Sequence, residues 1–221
     1  MYGNGLDDTV SQDKIHNAEE KGWIKGKIIL ASASPRRLEL LGQIGISPEI
    51  IPSTVEEKVT ETEPGEVVKK LSRQKAEEVA ARIGAGQTGP YKKCAVIGAD
   101  TVVSVDGRIL GKPSDRSSAK EMLRLIQGRK HQVYTGVTVI AGEVENSFFE
   151  ETLVDVYPME EYEIDRYIDC GESMDKAGAY GIQGRFAAYI RGIEGSYTNV
   201  MGLPVGRLFQ ELKKTGFVSE G

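Results

Sequence analysis

The chain has 221 residues, 28 Lys+Arg against 33 Asp+Glu, a net charge of -5, two cysteines and 26 glycines. A hydrophobic share of 39% and a length able to bury about 70% of the unfolded surface exclude an intrinsically disordered chain. The acidic balance argues against a general nucleic-acid-binding surface, no apolar run is long enough to cross a bilayer, and the widely separated Cys94 and Cys170 form neither a metal-ligand spacing nor a disulfide framework.

Residues 1–26 carry five acidic and three basic residues and few large apolar ones. They read as a weakly ordered extension, with a short docked segment around Trp23 as the alternative. No basic start followed by an apolar stretch marks a secretory signal, so a cytoplasmic location is expected. The folded domain, 27–221, opens on a strand at Lys27–Ala31, a helix at Pro35–Ile44, a short strand at Glu49–Ile51 and a long helix from Gly65 to Ile83. A flexible loop at Gly84–Pro90, placed near a cleft, leads to a strand from Cys94 that runs into a hairpin at Asp106-Gly107, a two-residue turn pair. A helix at Asp115–Gln127, with Ala119, Met122, Leu123 and Ile126 on one face, precedes strands at His131–Ile140 and Ser147–Tyr157 and a helix at Glu160–Ile168. A glycine-rich stretch, a strand at Phe186–Ile193 and a helix from Pro204 to Gly216 complete the chain. Strands interleaved with helices and hairpins predict an α/β fold with a mixed sheet.

Three segments carry chemistry. In IILASASPRRLELLG, Ser34 is placed to cap a helix whose first position is Pro35, so Arg36 and Arg37 fall in the first turn. Cations are unfavourable there. An anion would compensate them: free N–H groups, the hydroxyls of Ser32 and Ser34 and two guanidinium forks suit a phosphate, the alternative being a capped helix with two solvated arginines. In AVIGADTVVSVDGRILGK, the turn at Asp106-Gly107 sets Val105 against Arg108, Val103 against Leu110 and Thr101 against Lys112. Asp100 ends the apolar run beside this pair, as a metal ligand, a base for water or a surface partner of Lys112. In the long helix, Lys75 lies about 80° from Val67, between Leu71 at about 40° and Val79 at about 120°. It must snorkel or reach an anion or carboxylate. Glu56-Glu57 precedes this helix in an acidic loop that is either solvated or supplies a second carboxylate beside Asp100.

Taken together, IILASASPRRLELL, STVEEK, SRQKAEEVA, VIGADTVVSVDGRILGKP and MDKAGAYGIQGRFAAYIRGIEGSYTNVMGLP resemble the Maf family of nucleoside triphosphate pyrophosphatases. The arginine pair with GADT and GIQG is similar to the branch acting on dTTP and UTP. The resemblance implies a mixed sheet with flanking helices, two lobes around a central cleft as in inosine triphosphatases, Mg²⁺ dependence with Mn²⁺ as a substitute, and a homodimer. It implies Asp100 as general base, Asp100 and Glu56 as metal ligands, and Lys75 and Lys112 as further cleft residues. Ser32, Ser34, Arg36, Arg37, Thr101, Gln183 and Lys176 then belong to the substrate site, with Thr101 and Gln183 tied to the base. The expected reaction is hydrolysis of a pyrimidine nucleoside triphosphate to the monophosphate and pyrophosphate, with no organic cofactor and no nucleic-acid or membrane partner. A nucleotide-binding regulator of septum formation is the alternative. The glycine excess, about 12% against an average near 7%, is expected to give close backbone approach to the nucleotide around Gly98, Gly107 and Gly111 and around Gly178, Gly181 and Gly184.

Overall fold

The structure, a computed structural model, describes residues 24–87 and 89–218. Of the expected extension, residues 1–23, Trp23 included, lie outside the described residues. Ile24 bridges Val218 and the Lys25 N–H donates to the Phe217 carbonyl at 2.8 Å, so residues just before the first strand are docked.

A seven-stranded mixed sheet forms the centre, flanked by helices as expected. In chain order the elements are β1 (Lys27–Leu30), α1 (Pro35–Gln43), β2 (Glu49–Ile50), α2 (Pro64–Ile83), β3 (Cys94–Val105), β4 (Arg108–Leu110), α3 (Arg116–Ile126), β5 (Lys130–Ala141), β6 (Val144–Val156), α4 (Glu161–Asp169), β7 (Ile190–Glu194), α5 (Tyr197–Met201) and α6 (Val205–Lys214). The strand order is β2-β1-β3-β5-β6-β7, with β4 added to β3. β1 lies parallel to β2 and β3, where helices supply the crossovers; the other pairings are antiparallel. Among the described residues no helix is long and apolar enough to cross a membrane.

Strand alternation sorts the core into two clusters. Ala95, Ile97, Ala99, Val103 and Val105 of β3 join Leu40 and Leu41 of α1, Leu123 and Ile126 of α3, and Leu208 and Leu212 of α6 in the larger one. Cys94 and Val96 point the other way, to Ala76 and Val79 of α2. The hairpin turn adopts the expected geometry: Asp106 and Gly107 both have positive φ, 51° and 75°, as a primed two-residue turn requires.

Two expectations are corrected. Arg185–Tyr189 is a 3-10 turn, and strand pairing starts only at Ile190. Phe186 is fully buried against Tyr167, Tyr180 and Tyr189, and packing that ring winds the segment before it can extend. The described residues of the Gly84–Pro90 loop do not line the cleft: Gly86 lies against Gly142, in the β5–β6 turn.

Helix α2 rests directly on strand backbone. A Cβ on Gly98 would come within 2.2 Å of the Ser72 carbonyl oxygen, and one on Gly136 within 2.2 Å of the Val68 carbonyl. Gly98 therefore serves helix packing and not a ligand. Thr138, paired to Gly98 across the ladder, bonds the Ser72 hydroxyl at 3.0 Å and locks the helix in register. Gly136→Ala is expected to lower unfolding free energy by about 1–3 kcal/mol through overpacking, measured by urea denaturation, since main-chain atoms cannot rotate away.

His131 of β5 is buried with its Nε2 bonded to the Tyr180 hydroxyl at 2.8 Å. Burial, helped by Arg129, lowers its pKa from 6.5 to about 4. Between those values the unfolded chain binds the extra proton, so stability is fully present above pH 6.5 and is lost as pH falls towards 4. The loss should approach about 3 kcal/mol, and unfolding curves of His131→Gln should show a shallower dependence over this window.

Candidate active site

A gap in one edge of β3 makes the site. β1 covers that edge from Cys94 to Ile97 and β4 covers it from Val103 to Val105, while β5 pairs continuously along the opposite edge from Ala95 to Ser104. Gly98 to Val102 are left without a neighbour on the first edge, and a cleft of about 760 Å³ opens there. This is the crevice beyond the carboxyl ends of parallel strands where α/β folds bind ligands. Alternation turns Asp100 towards α2 and Thr101 towards α1, yet both line the cleft because it straddles the bare edge.

The cationic end is built from the β1–α1 junction. Pro35 is the first helical residue, and Ser34 stands before it in extended conformation, but its hydroxyl caps no N–H, contrary to the capping expectation. The Ser34 N–H instead donates to the Ser32 hydroxyl at 3.3 Å. Arg37 donates from Nε to the Gly202 carbonyl at 2.9 Å, from Nη1 to Ser32 Oγ at 2.9 Å and from Nη2 to Thr101 Oγ1 at 3.2 Å. Burial lowers its pKa while Asp100 acts in the opposite sense. Thr101 Oγ1 also bonds Thr135 Oγ1 at 2.9 Å, so this hydroxyl ties the arginine to β5. Arg36 reaches Asp175 at 3.0 Å. Asp175 is shared with Lys176, whose Nζ lies 2.6 Å from it and 2.7 Å from the Glu172 carbonyl. Although burial acts against it, the hydrogen bonds from Lys176 and Arg36 hold the Asp175 carboxyl below its ordinary pKa.

At the other end, Lys75 Nζ sits 2.5 Å from Asp100 Oδ1 and 2.8 Å from Glu57 Oε1, with the Lys75 and Asp100 side chains each only 16% exposed. The apolar-stripe position thus reaches carboxylates. Glu56, expected as the second carboxylate, points away: it is 83% exposed and pairs with Lys58 at 3.1 Å. Of the two neighbours, Glu57 is the one that faces the cleft. The expected Thr101–Lys112 cross-strand pair is also absent, since β4 ends at Leu110 after three ladder pairs in the expected register. Lys112 still lines the cleft and has no ion pair among the described residues. Gln183 lines it as an exposed side chain on the turn before Gly184.

Sequence reading therefore missed Asp175 and, within the Glu56-Glu57 pair it singled out, assigned the role to Glu56 and not Glu57. Each is adjacent to a residue it named, Glu56 and Lys176, and no periodicity distinguishes neighbours in irregular segments. Of the glycines expected beside a ligand, Gly111, Gly181 and Gly184 line the cleft, Gly181 also lying against the Lys176 stem and Gly184 against the Glu172 carboxylate, whereas Gly178 packs against Val103. Two carboxylates converging on one cation form an oxygen donor set that fits a hard divalent ion completed by phosphate oxygens and water. No cluster of three His, Cys, Asp or Glu occurs among the described residues, so the protein offers no closed metal cage there.

The Maf-like protein family model matches residues 27–215. The chain is 54% identical over 200 residues to a dTTP/UTP pyrophosphatase of Agathobacter rectalis, covering 86% of this chain and 98% of that one. It is 51% identical over 193 residues to a dTTP/UTP pyrophosphatase of Carboxydothermus hydrogenoformans, covering 86% and 100%. Among solved structures, the Staphylococcus aureus Ham1 protein aligns over 59% of this chain and 71% of its own at 14% identity and a TM-score of 0.42, too distant to superpose the sites. A match that starts with β1 and runs past the end of α6, joined to relatives half identical over nearly their whole length, shows that this chain belongs to the Maf-like protein family.

Proposed function

We propose that this chain hydrolyses pyrimidine nucleoside triphosphates, dTTP and UTP foremost, to the monophosphate and pyrophosphate. The observation that carries this reading is the arrangement along the bare β3 edge: Asp100, bridged through Lys75 to Glu57 on one face, lies beside Arg37, anchored through Thr101 on the other. A base for water and a clamp for a polyphosphate thus share one cleft. The names of the half-identical relatives support the pyrimidine substrates.

Water attacks the α-phosphorus in line with the bridging oxygen. A new P–O bond forms, the bond to that oxygen breaks, and pyrophosphate leaves with the electron pair. Asp100 takes the proton released by the water. Arg36, Arg37, Lys112 and Lys176 neutralise charge on the triphosphate and on the leaving group, and because hydrogen bonds already hold Arg37 in place, little reorganisation accompanies the step. Binding draws Arg36 and Lys176 from Asp175 onto phosphate oxygens. Ser32 Oγ accepts from Arg37 and the Ser34 N–H, which leaves its own proton to donate to a phosphate. Gln183 offers a donor and an acceptor to a pyrimidine edge. Mg²⁺ or Mn²⁺ held by Asp100 and Glu57 would supply Lewis-acid polarisation of phosphoryl oxygens. A cytoplasmic homodimer without nucleic-acid or membrane partners belongs to the same proposal, on the strength of the family resemblance and the net charge of -5.

Asp100→Asn should lower kcat by about 10²- to 10⁴-fold while nucleotide binding remains measurable by calorimetry; unchanged turnover would remove Asp100 as the base. Wild-type enzyme given dTTP should release pyrophosphate and dTMP in equal amounts, and orthophosphate in its place would move the attack to the γ-phosphorus. The two neighbouring glutamates give a sharper contrast. Glu57→Gln should reduce kcat/KM by at least about tenfold, equivalent to about 1.4 kcal/mol, and Glu56→Gln should leave it unchanged in the same assay.

A further inference from the structure

The segment between β2 and α2, Ile51 to Glu63, has no regular secondary structure, yet it delivers Glu57 to Lys75. Its main chain is held by side chains of α2 spaced four residues apart on one stripe of the helix. Arg82 Nη2 donates to the Pro52 carbonyl at 2.7 Å, and the Thr54 N–H donates to Glu78 Oε2 at 3.2 Å. Gln74 makes the tightest grip. Its Oε1 accepts from the Lys58 N–H at 3.1 Å and its Nε2 donates to the Lys58 carbonyl at 2.5 Å.

We infer that Gln74 is a positioning residue, whose side-chain amide clamps both main-chain groups of Lys58 and so aims Glu57, and not Glu56, at Lys75 and Asp100. The clamp acts on the residue that directly follows Glu57. It originates from the residue that directly precedes Lys75, so the anchor of the loop and the partner of its carboxylate are consecutive on one rigid helix. With the Lys58 main chain fixed, Glu57 reaches the cleft while Glu56 and Lys58 stay outside, where they pair with each other. A primary amide is required because it carries a donor and an acceptor side by side. A carboxylate at this position would still accept from the Lys58 N–H but would repel the carbonyl, and alanine would do neither. Glu78 and Arg82 act on the distal part of the loop and are paired to each other at 3.0 Å, so they cannot replace the clamp at Lys58.

The catalytic consequence rests on the proposed hydrolysis, and the test separates the two. Gln74→Ala, Gln74→Glu, Glu57→Gln and the Gln74→Ala/Glu57→Gln double variant are assayed with dTTP, and amide hydrogen exchange is followed in peptides covering 52–60. Gln74→Ala should lower kcat/KM by about 10- to 100-fold, the scale of a small misplacement of a catalytic group, with an unchanged Tm and faster exchange in 52–60. Gln74→Glu should retain more activity than Gln74→Ala. In the Glu57→Gln background the alanine change should have no further effect. Full activity of Gln74→Ala, or the same fold-loss in both backgrounds, would overturn the inference. If the wild-type chain turns over no pyrimidine triphosphate, the hydrolase reading falls while exchange still decides the clamp: unchanged protection of 52–60 in Gln74→Ala refutes it, and lost protection upholds it.

Discussion

Helix α2 can lie directly on strands β3 and β5 only because Gly98 and Gly136 present no side chain beneath it. That contact sets the height and rotation of the helix, and the helix carries Lys75 and the stripe Gln74, Glu78 and Arg82. Asp100 and Gly136 are cross-strand partners, so the carboxylate and one of the bare backbone seats share a rung of the ladder. A helix displaced by one side-chain radius would separate Lys75 from Asp100 and carry the Glu57 loop with it. Stability and site geometry therefore depend on the same few atoms, and interiors packed at crystalline density transmit such a shift without absorbing it.

Charge in the cleft is organised around internal counterions. Lys75 stands between Asp100 and Glu57, Asp175 stands between Arg36 and Lys176, and Arg37 is held by neutral oxygens. These side chains are partnered before substrate arrives, which lowers the cost of gathering like charges in a half-buried space. A chain with net charge -5 can hold such a site because affinity for a single polyphosphate depends on local fields and not on the sum over the surface. The cleft straddles a strand edge, which brings groups from opposite faces of one sheet to a common substrate.

Much of this was legible in the sequence. Ser-Pro-Arg-Arg after an apolar strand marked a polar helix start, Asp-Gly marked the hairpin and its register, and the position of Lys75 on the apolar side of α2 marked a lysine that needed a partner. These are local rules with a fixed period or a fixed turn geometry. Other features followed no such rule. The five-residue α5 is too short for a periodic signal, and the 3-10 turn at Arg185–Tyr189 owes its shape to Phe186 meeting Tyr167 and Tyr180 from outside the turn as well as Tyr189 within it. The glycines expected beside a ligand at Gly98 and Gly178 pack instead against α2 and Val103, since a bare Cα has the same appearance in sequence whichever neighbour approaches it.

By itself the sequence determined the kinds of element, most of their bounds, and the residue types available for phosphate and proton chemistry, because hydrophobic period, caps and turn residues act over a few positions. Tertiary structure decided which of two adjacent residues does the work. Glu57 and not Glu56 meets Lys75, Thr101 is committed to Arg37, and Asp175 joins Arg36 to Lys176. The direction of a side chain in an irregular segment is set by distant main-chain anchors such as the Gln74 amide on Lys58, and those exist only once the helix has been seated on the sheet.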